Sequence, residues 1–189
     1  MKSVLSLLVL SLLTIKAHCQ SQQAMAFLHD FFGQSSEIVY MDKVWQHEIK
    51  WMRKTLNQDT LQDMFNTKPP KPDVRLVLTL KKRSYIQSEL DRQAEVTWPS
   101  QLFKNGKVLT SSTVDSIYKD PTRGETYFRD HYGSRLYSFS NPIFIRDYSI
   151  CIFYSGYTCG SRCGEGKLII FKKKDAAWLP WIKLYSWVS

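Results

Sequence analysis

Cys159-Gly-Ser-Arg-Cys163-Gly-Glu-Gly166 constrains the fold more tightly than any other stretch of the chain. Two cysteines separated by three residues sit among three glycines, and both flanks read as β-strands. Tyr148 to Tyr157 is apolar on both faces, the pattern of a strand covered on each side. Leu168 to Phe171 reads as the return strand, and Asp175-Ala176-Ala177 as the next turn. Trp178 to Val188 reads as a third strand, placed at an edge because Pro180 has no amide hydrogen to give a neighbour. Cysteines facing each other across a tight turn can reach the Cα separation of roughly 4.4–6.8 Å that a disulfide needs. Gly160, Gly164 and Gly166 are expected to supply the positive φ values of such a turn. The expectation is a hairpin closed by a Cys159–Cys163 disulfide, a local staple worth about 2 kcal/mol because the loop is so short. Tyr157, Gly160, Arg162, Gly164 and Gly166 around it form the candidate contact surface.

The same cysteines argue against two other chemistries. A thioredoxin-like pair has two intervening residues and a helix after the first cysteine, and neither is found here. Structural zinc needs four ligands, which would recruit Cys151 and a histidine such as His131, and oxidation of the pair would remove its thiolates. Cys151 falls mid-strand between isoleucines, where a thiol behaves as a small hydrophobe. No metal and no cofactor is expected.

Residues 1–19 have the parts of a secretory signal: Lys2, an apolar run from Val4 to Ile15, and Ala17-His18-Cys19 before the cut. That run is shorter than the roughly 20 residues of a bilayer span, so no transmembrane segment is expected after cleavage. The reading is an exported protein, periplasmic or extracellular, in a compartment where disulfides persist. Lipid anchoring at Cys19 is the weaker alternative, since His18 and Lys16 stand where small and aliphatic residues are wanted. Residues 20–189 then make a single domain.

The first mature segments read as helices. Ala24 to Phe32 is one, ended by Gly33. Ile38, Met41, Trp45, Ile49, Met52 and Leu56 recur at steps of three and four, which places them on one face of a second. Asp59 would cap a short helix carrying Leu61, Met64 and Phe65, stopped by Lys68-Pro-Pro-Lys-Pro72. Val74 to Leu80 alternates as a strand, and Ser84 with Gln87 makes a capping box for a helix over Tyr85–Ala94, ended by Trp98-Pro99. Asn105-Gly106 could turn a hairpin. Short helices follow around Thr113–Tyr118 and Glu125–Tyr132, the latter closed by Gly133. The fold class is therefore α+β: N-terminal helices packed on a C-terminal antiparallel β-meander with a disulfide-closed hairpin.

Removing the leader takes away Lys2 and Lys16 and no acidic residue, which lowers the formal net charge from +9 to +7. The cations are dispersed apart from Lys81-Lys82-Arg83 and Lys172-Lys173-Lys174, so solvation rather than nucleic-acid binding is the reading. No nucleophile elbow, His-Glu-x-x-His pair or phosphate loop occurs. Glu125, Asp130 and His131 are the one cluster from which an exported hydrolase could be built, although adjacent helix residues point apart. Trp181 and Trp187 fall on one face of the last strand and Trp178 on the other. The tryptophans either form a platform for a sugar ring or peptide, or close the sheet against the helices, whose stripe includes Trp45. Packing is the preferred reading.

Phe139-Ser140-Asn141-Pro142-Ile143-Phe144, Cys159-Gly160-x-x-Cys163-Gly164-x-Gly166, Trp178 and Trp187-Val188-Ser189 together resemble a group of small, uncharacterised exported bacterial proteins. Trp98-Pro99 and Tyr132-Gly133 are similar more loosely, and Cys151 lies outside the pattern. The resemblance implies an exported domain with a paired-cysteine hairpin and brings no catalytic residue. The functional expectation is a non-catalytic binding or structural accessory module of the cell envelope, its partner an envelope protein or a glycan.

Overall fold

The computed structural model describes residues 22–34, 37–63, 74–95, 97–120 and 122–189. The expected leader with Cys19, the Lys68–Pro72 joint, and Met64 and Phe65 lie outside the described residues. Contacts divide the chain into two units, Met1–Gln34 and Ser35–Ser189. In the first, helix α1 covers residues 22–32. It ends at Gly33, whose amide donates to the His29 carbonyl at 2.8 Å.

The second unit runs β1 (Val39–Met41), α2 (Gln46–Leu56), β2 (Thr60–Gln62), β3 (Arg75–Val77), α3 (Leu80–Gln93), β4 (Lys107–Leu109), α4 (Ser111–Lys119) and α5 (Gly124–Tyr132). Five strands complete it: β5 (Leu136–Phe139), β6 (Ile143–Ile145), β7 (Ile150–Gly160), β8 (Cys163–Lys174) and β9 (Ala177–Val188). The main sheet has the order β4-β1-β5-β7-β8-β9, with β6 also pairing β7. β7, β8 and β9 form the antiparallel meander, and β9 with its Pro180 is an edge strand. The class is α+β.

Apolar residues of α2 (Ile49, Met52, Leu56) and α3 (Ile86, Leu90) meet Ile152, Tyr154, Leu168, Ile170 and Ile182 on one face of the meander. Burial of each such side chain stabilises the fold by about 1.5–3 kcal/mol, so this layer holds the helices on the sheet. The opposite face is aromatic. Phe139 meets Tyr40, Trp98, Phe103 and Phe153 there, with ring centroids 5.3–6.4 Å apart. Trp181 packs against the helix-side core, and Trp178 meets Phe144 on the other side. Trp45 joins a separate cluster with Met41, Leu109, Ile117, Phe128 and Leu136, and it is Trp51 that stacks on β9, against Tyr185.

Four expectations are corrected. The helical stripe holds only from Ile49 onward: Val39–Met41 is a strand, paired in parallel with both β4 and β5. Asp59 precedes strand β2, paired with β3, rather than a helix. Helix α3 starts at Leu80, five residues before the expected Tyr85, because Thr79 rather than Ser84 caps it, accepting from the Lys82 amide at 3.3 Å. Asn105-Gly106 leads into β4, which pairs in parallel with β1, so it turns no hairpin.

Candidate ligand-binding site

The Cys159–Cys163 disulfide is present, with Cα atoms 5.0 Å apart at the β7–β8 tip. Gly160 there has φ +134°, a backbone that favours glycine. Its neighbour Ser161 donates its amide to the Glu125 carboxylate, which ties α5 to the tip. Gly164 and Gly166 serve a different purpose from the one expected. Neither has positive φ, and both are buried. A Cβ on Gly166 would stand 2.6 Å from Cε2 of Trp187 and 2.7 Å from the Tyr154 hydroxyl. Gly156 lies directly across the ladder from Gly166, and a Cβ there would also meet the Tyr154 hydroxyl, at 2.6 Å. The paired glycines are thus the floor on which Trp187 and Tyr154 lie.

The five candidate contact residues do not share one exposed face. Tyr157 packs on Tyr137, with the Arg135 guanidinium 4.6 Å from its ring. Gly160 faces Glu125, Gly164 and Gly166 are covered by Trp187, and Arg162 alone is exposed. The second cluster is also divided. Glu125 is engaged at the hairpin tip, Asp130 lies 3.7 Å from Arg129, and His131 stacks on Tyr127 with centroids 3.9 Å apart. All three are exposed on α5.

Above the glycine floor lies a cavity of about 380 Å³ lined by Trp45, His47, Glu48, Thr158, Tyr185 and Trp187. Three elements build it: the first turn of α2, the end of β7 and the edge strand β9. Glu48 occupies the third helical position, from which a carboxylate ordinarily turns back to the N-cap amide. Here the N-cap amide of Trp45 instead donates to the Ser138 hydroxyl at 3.3 Å, and Glu48 is left to face the cavity. The Glu48 side chain is 3% exposed. Its Oε1 lies 3.2 Å from His47 Nε2, its buried Oε2 makes no full hydrogen bond, and the Tyr154 hydroxyl interacts with the carboxylate.

Two other polar groups around the cavity are engaged. Trp187 Nε1 donates to the Tyr154 hydroxyl at 3.3 Å. Thr158 donates to the Gly160 carbonyl at 3.3 Å, with the Cys163 carbonyl at 3.5 Å, so the disulfide tip holds one wall. Burial pushes the Tyr154 phenol far above its ordinary value, and the Glu48 charge pushes the same way. Tyr185 is raised for the same two reasons. Both tyrosines therefore hold their protons well above neutral pH. The Trp45 ring stacks on His47 at 5.8 Å, adding a second indole beside the carboxylate.

A second cavity, about 510 Å³, lies between the start of α3 and the β6–β7 turn, lined by Lys81, Lys82, Tyr85, Arg146, Asp147 and Tyr148 among others. Of the two, only the Glu48 cavity contains a buried polar side-chain atom without a full hydrogen bond. No group of three or more metal-ligating side chains occurs among the described residues, and no described helix is long and apolar enough to cross a membrane. No protein-family model, curated protein or solved structure matches the chain.

Sequence reasoning passed over Glu48. The available signal was an acidic residue at the third position of a helix whose preceding residue is a tryptophan, and by itself that reads as an ordinary helix start.

Proposed function

We propose that the chain is an exported, non-catalytic binding module of the cell envelope whose ligand site is the cavity over Glu48. The observation that carries this reading is a buried carboxylate, its Oε2 lacking a full hydrogen bond, in the lining of a small aromatic-walled space. A buried polar atom left unpaired costs about 1–3 kcal/mol, more when charged, and a ligand that satisfies it recovers that cost. The volume falls at the small end of the roughly 300–1,000 Å³ range of small-molecule sites. Export is supported by the leader at residues 1–19, by the likeness to small exported bacterial proteins, and by a disulfide that persists best outside a reducing compartment.

The test uses the full chain with its disulfide formed, followed by NMR of the Trp187 and Trp45 indole resonances. Choline, benzyl alcohol and N-acetylglucosamine are titrated separately. Saturable movement of both indoles with at least one of the three, lost in Glu48→Ala, is the expected result. If none of the three moves either resonance, the cavity is not a ligand site and the reading falls.

A further inference from the structure

Resting on that reading, we propose that the cavity takes an organic cation, an alkylated ammonium group of the choline type. Two features of the lining have the same electrostatic preference. The Glu48 carboxylate is buried, with its Oε2 lacking a full hydrogen bond, and the aromatic side chains Trp45, Tyr185 and Trp187 line the space beside it. Aromatic faces carry the negative side of the ring quadrupole and attract cations, most strongly where water is excluded. A carboxylate framed by three such rings recognises positive charge wrapped in apolar methyl groups.

The alternatives fit less well. A sugar needs several donors and acceptors arranged around its hydroxyls, whereas the Trp187 N–H and the Thr158 hydroxyl are already committed within the protein. An anion would face Glu48 at close range. A neutral apolar ligand would fill the space without offering the buried carboxylate a counter-charge. His47 is the one basic side chain paired with Glu48 among the described ion pairs. It approaches Oε1, and its own side chain is 65% exposed. The chain's overall positive charge opposes cation approach only weakly, because exposed charges are screened beyond about 8 Å at physiological salt. The buried Glu48 pair is screened much less.

An alkylated ammonium can come from a free metabolite or from a lipid headgroup, and the chemistry at the pocket is shared. The experiment compares choline with its neutral isostere 3,3-dimethylbutan-1-ol by calorimetry and by the Trp187 indole resonance, at pH 8. Choline is expected to bind at least ten times more tightly than the isostere, and Glu48→Gln to abolish that difference while keeping the wild-type thermal midpoint. Equal binding of the two compounds to the wild-type chain overturns the cation assignment yet leaves a functioning pocket. Binding of benzyl alcohol or N-acetylglucosamine without choline does the same. The wild-type comparison decides the matter even if Glu48→Gln folds poorly. Co-sedimentation with phosphatidylcholine vesicles would identify the lipid headgroup as the source. Choline binding without co-sedimentation would identify the free amine.

Discussion

At the scale of single residues, the Gly156–Gly166 pair determines the shape of the site. Each glycine leaves room for an aromatic group rather than for an unusual backbone. The glycine-rich run was legible in the sequence, but its purpose was legible only at Gly160, where a turn does impose positive φ. Close approach at Gly166 depends on Trp187 standing opposite it in the β8–β9 register, and no local pattern encodes a cross-strand neighbour. The same holds for Glu48, whose burial is set by a strand at the far end of the chain. Gly166→Ala is therefore expected to force Trp187 and Tyr154 outward and to destabilise the protein by about 1–3 kcal/mol, the usual cost of overpacking. Urea unfolding measures this, and a midpoint equal to wild type would show that Trp187 does not rest on the glycine.

At the scale of elements, the disulfide hairpin supports the site without being the site. The tip is held three ways: by Cys159–Cys163, by the Thr158 hydroxyl, and by the Glu125 carboxylate accepting from Ser161. Closing so short a loop restricts the unfolded chain little, so the double substitution Cys159→Ser with Cys163→Ser is expected to cost about 2 kcal/mol. The loss should be accompanied by faster amide exchange at residues 158–164 and little change in α2 or α3. A loss above about 4 kcal/mol, near the top of the range for any disulfide, would mean the bridge anchors more than the tip. Long elements were readable in the sequence, and short ones were not. β7, β8 and β9 carry continuous apolar patterns, and α1 and α5 end at Gly33 and Gly133. β1, β2 and β4 are three residues each, too short to display a period. Val39–Met41 fitted a helical stripe by coincidence of spacing, and its parallel neighbours on both sides made it a strand.

At the scale of the whole molecule, the meander is a local product and the rest of the sheet is not. β7, β8 and β9 follow one another in sequence, so their order could be read directly. The parallel insertion of β1 between β4 and β5 joins segments separated by most of the helices, which only tertiary packing can specify. The result is a core rich in neutral, ionisable aromatics. Burial raises Tyr40, Tyr154 and Tyr185 above the ordinary phenol value, with Tyr118 moved the same way, and it lifts the buried Cys151 thiol well above its own. For each, the native state holds a proton that the unfolded chain would release first. Their stabilising contribution is complete below the unfolded values, about 8.5 for cysteine and about 10 for tyrosine, and is lost as pH rises through the higher native values. The native state should therefore weaken steadily above about pH 9, where unfolded cysteine and then tyrosine begin to ionise. Tyr154 has the largest lever among the phenols, since both burial and the Glu48 charge act on it. Denaturant unfolding between pH 8 and pH 11 should show a shallower alkaline decline in Tyr154→Phe than in wild type, despite a lower starting stability from the lost Trp187 hydrogen bond. Parallel declines would mean that Tyr154 ionises as readily in the native protein as in the unfolded chain.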